Sequence, residues 1–124
     1  MDATIVGYAP VGKTAAFAVD IDGKHQRVVP LNTKSKHQAE LAGIKYVFQA
    51  IVDKNVDLNL KVTVAHIPGM FKKDEAGLFS KRKKPNKLVD EVRGLSTQFA
   101  SFSIEKASAE SIGVLKEKAK SACI

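Results

Sequence analysis

The sequence predicts an α/β domain in which a five-stranded mixed sheet, its first three strands antiparallel, is flanked by helices in the order β-β-β-α-β-α-β-α. Three observations carry this. The first 31 residues hold three β-prone runs broken by Pro/Gly and Asp-Gly turn signals. From Lys36 the apolar spacing changes to that of a helix. Beyond it, strand-like and helical spacings alternate to the C-terminus. A meander followed by alternating elements implies a mixed sheet covered by helices. The 124 residues are read as one domain spanning 1–124, and a hydrophobic share of 44% is enough for a core.

The elements follow in order. Ala3 to Tyr8 is a strand centred on Ile5 and Val6, and Ala9-Pro10-Val11-Gly12 is a turn. Thr14 to Ile21 is a second strand, with Ala16, Phe17 and Val19. Asp22-Gly23 then makes a hairpin, because a tight two-residue turn needs positive φ. Gln26 to Leu31 is the third strand. Over Lys36 to Val52 the apolar residues Leu41, Ile44, Phe48, Ile51 and Val52 recur at helical spacing, and Asn32, Thr33 and Ser35 are candidate N-caps. Asn55 to Asn59 forms the exit turn. Leu58, Leu60, Val62 and Val64 alternate as a strand that Pro68-Gly69 ends. Met70 to Ser80 is a short helix or a loop, and residues 81–86 are exposed. Lys87 to about Leu95 is a helix burying Leu88, Val89, Val92 and Leu95. Phe99 to Lys106 is the fifth strand, with Ala100, Phe102 and Ile104 on one face. Ser108 caps a last helix that turns Ile112, Leu115, Ala119 and Ala122 to the core.

The net charge of +7 is uneven. Residues 72–87 carry seven basic side chains (Lys72, Lys73, Lys81, Arg82, Lys83, Lys84, Lys87) against Asp74 and Glu75, so they hold +5 of it. Such a segment attracts polyanions through counterion release, or else is a solvated loop that aids solubility. There is no apolar run of about 18 residues, so no membrane partner is expected. The N-terminus lacks the pattern of a signal peptide. The one cysteine, Cys123, excludes an internal disulfide and lies near a terminus expected to fray. These features suggest a reducing, intracellular and cytoplasmic setting.

Few motifs carry chemistry on their own. Gly7, Gly12, Lys13 and Thr14 formally match the phosphate-binding Gly-x-x-x-x-Gly-Lys-Thr pattern. That loop needs a helix straight after it, whereas Ala15 to Asp20 reads as strand. His25, His37 and His66 lack metal-motif spacing and read as surface or boundary residues. No Ser/His/Asp arrangement marks a triad.

The ordered set of local patterns resembles a known family. Gln38-Ala39-Glu40-Leu41-Ala42 on the first helix, Lys83-Lys84-Pro85-Asn86-Lys87 running into Leu88-Val89-Asp90-Glu91, and Phe102-Ser103-Ile104-Glu105-Lys106 are together similar to cellular, type 1 ribonuclease H. The resemblance implies four acidic side chains holding two divalent metals for phosphodiester hydrolysis. Glu40 matches the second acid. Gly7-Tyr8 stand where the first belongs, and Asp2 is about 17 Å away along an extended strand. Ala65-His66 stand at the third and Ser111 to Val114 at the fourth, with only Glu110 nearby. Ala107-Ser108-Ala109 replace the family's mobile histidine.

One carboxylate cannot hold two magnesium or manganese ions, so no metal or other cofactor is expected, and Glu40 is either vestigial or an ordinary helix residue. The sequence thus points to a catalytically degenerate domain. It would bind an RNA/DNA hybrid or duplex through Lys81, Arg82, Lys83, Lys84 and Lys87, assisted by Lys72 and Lys73. An alternative is a structural or protein-interaction module with a protein partner. A third reading is an active Mg2+- or Mn2+-dependent ribonuclease with a rearranged site made from Glu40, Glu110, His66 and Asp90.

Overall fold

A computed structural model describes residues 1–81, 84 and 86–124. Its strands are β1 (Asp2–Tyr8), β2 (Ala16–Ile21), β3 (His25–Pro30), β4 (Asp57–Val62) and β5 (Ser101–Lys106). Its helices are α1 (Lys36–Ala50), α2 (Lys87–Ser96) and α3 (Gly113–Ala122), with single 3-10 turns at Pro68–Phe71 and Glu110–Ile112. The sheet order is β3-β2-β1-β4-β5. β1, β2 and β3 pair antiparallel, while β4 runs parallel to β1 and to β5. The predicted element order and mixed sheet are therefore observed.

Local chemistry explains most boundaries. Asp22 and Gly23 both have positive φ, 56° and 70°, as a two-residue hairpin turn demands. Ser35 caps α1, its hydroxyl accepting from the Gln38 N–H. Asn86 caps α2 by accepting from the N–H groups of Leu88 and Val89. Period-2 alternation sends Ala3, Ile5, Phe17, Val19, Leu58, Leu60 and Val62 into one large core beneath α1 and α2. Val6 and Ala18 face the other way and form a second, small core with Leu115 and Ala119 of α3. The β4–β5 half of that second face is polar: Ser101 and Ser103 donate to Asp57 (2.7 Å) and Asn59 (2.6 Å) across the parallel pair.

Several expected boundaries shift. The second strand begins at Ala16, and Thr14 belongs to the preceding turn region. α1 ends at Ala50, where Lys54 Nζ donates to the Phe48 and Ile51 carbonyls and closes the helix. Val52 consequently falls off the apolar stripe and is 88% exposed. Asp57 to Asn59 belong to β4, not to the exit turn, and β4 stops at Val62. Val64 is not a strand residue, because its N–H and that of Thr63 are taken by a side chain of α1 described below. Ala100 is exposed and precedes β5, its N–H held by the Lys54 carbonyl. Ser108 does not cap α3. Its carbonyl instead accepts from the Ser111 N–H and hydroxyl, which winds a 3-10 turn before the helix starts at Gly113. The C-terminus expected to fray is tied to the turn before β2. The Ile124 carbonyl accepts from the Thr14 N–H at 2.8 Å and from its hydroxyl at 3.3 Å, and Cys123 is buried. The same contacts occupy the formal phosphate-loop residue Thr14, and β2 follows where that motif needs a helix.

Candidate functional site

Glu40 lies in the second turn of α1, where the helix crosses the carboxyl ends of the parallel pair β1 and β4. It is 0% exposed. Its carboxylate accepts four hydrogen bonds. Gly7 N–H donates to Oε2 at 3.1 Å and Val64 N–H to Oε1 at 2.8 Å. The Thr63 N–H and hydroxyl supply the other two. These donors come from the two strand ends, where the backbone leaves the sheet and loses its ladder partners. Glu40 thus satisfies donors that burial would otherwise orphan.

Gly7 explains the missing first acid in steric terms. A Cβ at this position would lie 3.0 Å from both the Glu40 nitrogen and the Lys36 carbonyl oxygen. The first turn of α1 rests directly on β1, so the strand end has no room for an aspartate without moving the helix.

The other residues of the expected or rearranged centre do not join Glu40 in a ligand set among the described residues. Ala65 and His66 are exposed beyond β4, and the His66 ring lies 4.7 Å from that of His37. Glu110 is exposed in the turn before α3. Asp90 is exposed on α2, beside Lys45 and Glu91. Among the described residues, no three His, Cys, Asp or Glu side chains gather as a metal-ligand set. The pair of divalent ions implied by the resemblance does not fit the residues present. The one matched carboxylate is buried and has both oxygens engaged by protein donors, and its neighbours at the strand ends, Gly7, Tyr8, Thr63 and Val64, bring no further carboxylate to offset the charge of two dications.

A cleft of about 310 Å³ opens over this spot. It is lined by Val6 to Pro10, Thr63 and Ile112, and by two cations, Lys36 of α1 and Lys116 of α3.

The basic segment lies elsewhere, between β4 and α2. Lys72, Lys73, Lys81, Lys84 and Lys87 are all exposed; Arg82 and Lys83 lie outside the described residues. Residues 73–79 fold back as a small hairpin. Lys73 bridges to Phe79, and Asp74 Oδ1 accepts from the N–H groups of Ala76 and Leu78, both at 2.9 Å. Arg93 of α2 pins this segment from beneath. It is only 7% exposed. Its Nε donates to the Met70 carbonyl at 2.7 Å and Nη1 to the Ser80 carbonyl at 3.0 Å, while the guanidinium lies 5.2 Å from the Phe79 ring centroid. Sequence reasoning missed Arg93. The available signal was a basic residue next to Val92 on the apolar side of α2, a place where a long cation needs several acceptors.

No protein-family model and no curated protein matches the chain. Solved structures do. The N-terminal RNase H domain of a Mycobacterium tuberculosis protein, solved as a fusion with maltose-binding protein, superposes with a TM-score of 0.73 at 13% identity, covering 98% of this chain and 92% of that one. RNase H1 from the halophilic archaeon Halobacterium salinarum gives 0.66 at 16% identity, covering 98% and 92%. LC11-RNase H1 in complex with an RNA/DNA hybrid gives 0.72 at 12% identity, covering 98% and 94%. With near-complete coverage in both directions and the mixed sheet already described, the chain has the ribonuclease H-like fold.

Proposed function

We propose that this protein is a non-hydrolytic nucleic-acid-binding domain that holds an RNA/DNA hybrid or duplex through the basic segment between β4 and α2. The observation that carries the reading is the exposure of Lys72, Lys73, Lys81, Lys84 and Lys87 on a segment anchored by Arg93. Ammonium groups presented on an anchored backbone contact phosphates without choosing a sequence. The fold similarity to an RNase H1 crystallised with an RNA/DNA hybrid favours the hybrid as first ligand to try. Loss of hydrolysis is supported by the saturated carboxylate of Glu40 and by the closed position at Gly7.

Fluorescence anisotropy in EDTA, with hybrid, double-stranded RNA and DNA, tests the reading. Binding should weaken with salt, with a log–log slope of about −4 if five phosphates are neutralised. Replacing Lys72, Lys73, Lys81, Lys84 and Lys87 by Gln should flatten that slope. Absence of salt-dependent binding at low ionic strength rejects the proposal. Mg2+- or Mn2+-dependent cleavage of the hybrid rejects its non-hydrolytic half.

A further inference from the structure

We infer that the cleft over Gly7 is a metal-independent phosphate site, in which the ammonium groups of Lys36 and Lys116 supply the positive charge. This deepens the nucleic-acid reading, on which its assignment to a phosphodiester rests. Four observations converge. The cleft of about 310 Å³ is large enough for a phosphate group and its neighbours along a chain. It sits at the carboxyl ends of the parallel strands β1 and β4, where open α/β sheets collect their ligands. Its charged lining consists of Lys36 and Lys116 alone, brought together from α1 and α3. Neither lysine makes an ion pair among the described residues.

Glu40 sets one buried negative charge against the two cations of the lining and leaves that balance positive. Glu40 lies behind the floor, and its oxygens are turned to the N–H groups of Gly7, Thr63 and Val64 and to the Thr63 hydroxyl. Two cationic side chains lining one concavity raise its potential, because low-dielectric walls focus the field. An anion is the ligand that relieves their repulsion. A phosphate suits the pair because its oxygens accept from two separate ammonium groups at once. None of the described residues of the basic segment lines the cleft, so a bound strand could be held at two places.

The test uses the full chain with Lys36→Gln and Lys116→Gln, singly and together. Both lysines are exposed, so the thermal midpoint should not move, and folding is checked that way. In the first arm, inorganic phosphate is titrated in EDTA while the amide resonances of Tyr8, Lys36, Thr63 and Lys116 are followed by NMR. Saturable shifts at these amides that vanish in the double variant support a phosphate site. No shifts overturn it, whatever the nucleic-acid result. In the second arm, hybrid binding is measured in EDTA. The double variant should bind about tenfold more weakly, with the salt slope reduced by about 2. Phosphate shifts with unchanged hybrid affinity assign the cleft to free phosphate and overturn the phosphodiester assignment. If wild-type protein ignores hybrid while phosphate still shifts the amides, the nucleic-acid reading fails and the cleft stands as a small-anion site.

Discussion

Glu40 and Arg93 are the two charged side chains that the described residues bury, and they solve the same problem in opposite places. Neither makes an ion pair among the described residues. Glu40 collects three backbone N–H groups and a hydroxyl at the ends of β1 and β4. Arg93 gives its protons to two backbone carbonyls and a serine hydroxyl under the basic segment. Each side chain therefore ties irregular backbone to a helix, where that backbone has left the sheet and has no ladder partners. The difference lies in what they face. Glu40 closes the position where the resemblance implies chemistry, while Arg93 supports the position where lysines meet solvent. A buried charge is thus read by what its atoms already bind, and here both side chains bind local backbone.

The contrast is broken first at Glu40, where the largest effect is expected. Glu40→Gln replaces one acceptor oxygen by an NH2 group facing donors, and should cost about 2–4 kcal/mol in chemical denaturation, with Glu40→Ala costing more. A carboxylate held open for a metal would behave in the opposite way, since removing it relieves strain and rarely unfolds the chain. A glutamine variant as stable as wild type would sink the account of Glu40 as a strand-end clamp.

Arg93 should matter less to the whole and more to its own segment. Arg93→Met keeps the apolar stem but strands the Met70 and Ser80 carbonyls, for a loss of about 2 kcal/mol. Arg93→Lys should recover little, because a single ammonium cannot span both acceptors. Hydrogen exchange supplies the sharper reading: the amides of Asp74 and Leu78, bonded within the hairpin, should exchange faster, while Ile5 and Leu60 follow only the global change. Equal acceleration in both places would mean that Arg93 holds the core and not the segment.

These two residues also mark how far the sequence could be read. Periodicity located the strands and helices because one face of each is apolar, and Asp22-Gly23 announced its hairpin because positive φ is expensive elsewhere. What escaped was set by contacts between distant residues. Val64 alternates like a strand residue, yet its N–H belongs to Glu40, 24 positions earlier. Val52 keeps the helical spacing, yet Lys54 closes the helix before it. Ser108 looks like a cap, but its carbonyl winds the 3-10 turn and the helix starts later, at Gly113. At the candidate centre, residue types alone identified Glu40 as an acid; only its four donors reveal its task. The close approach of α1 to Gly7 and the placing of Lys36 and Lys116 on one cleft are tertiary facts with no local signature.

The smallest effect is expected where charge is paired in water. Lys45 of α1 and Glu91 of α2 lie 2.6 Å apart, both about one-third exposed. The hydrogen bond from Lys45 holds the Glu91 carboxyl below its ordinary value, with the Lys45 charge adding to this against partial desolvation. A carboxyl lowered in the folded state adds stability above its unfolded pKa, and this is lost as pH falls through the folded one. Removing the partner with Lys45→Met should therefore lower stability slightly at neutral pH. The gap should narrow once the pH drops below the usual carboxylate range, and at neutral pH it should also shrink in high salt. A gap that stays constant from pH 7 down to pH 3 would instead mean that the lysine stem packs between the helices and that its charge is incidental. The effects of Glu40 and Arg93 should persist in high salt, since charges hydrogen-bonded out of water are screened little by ions.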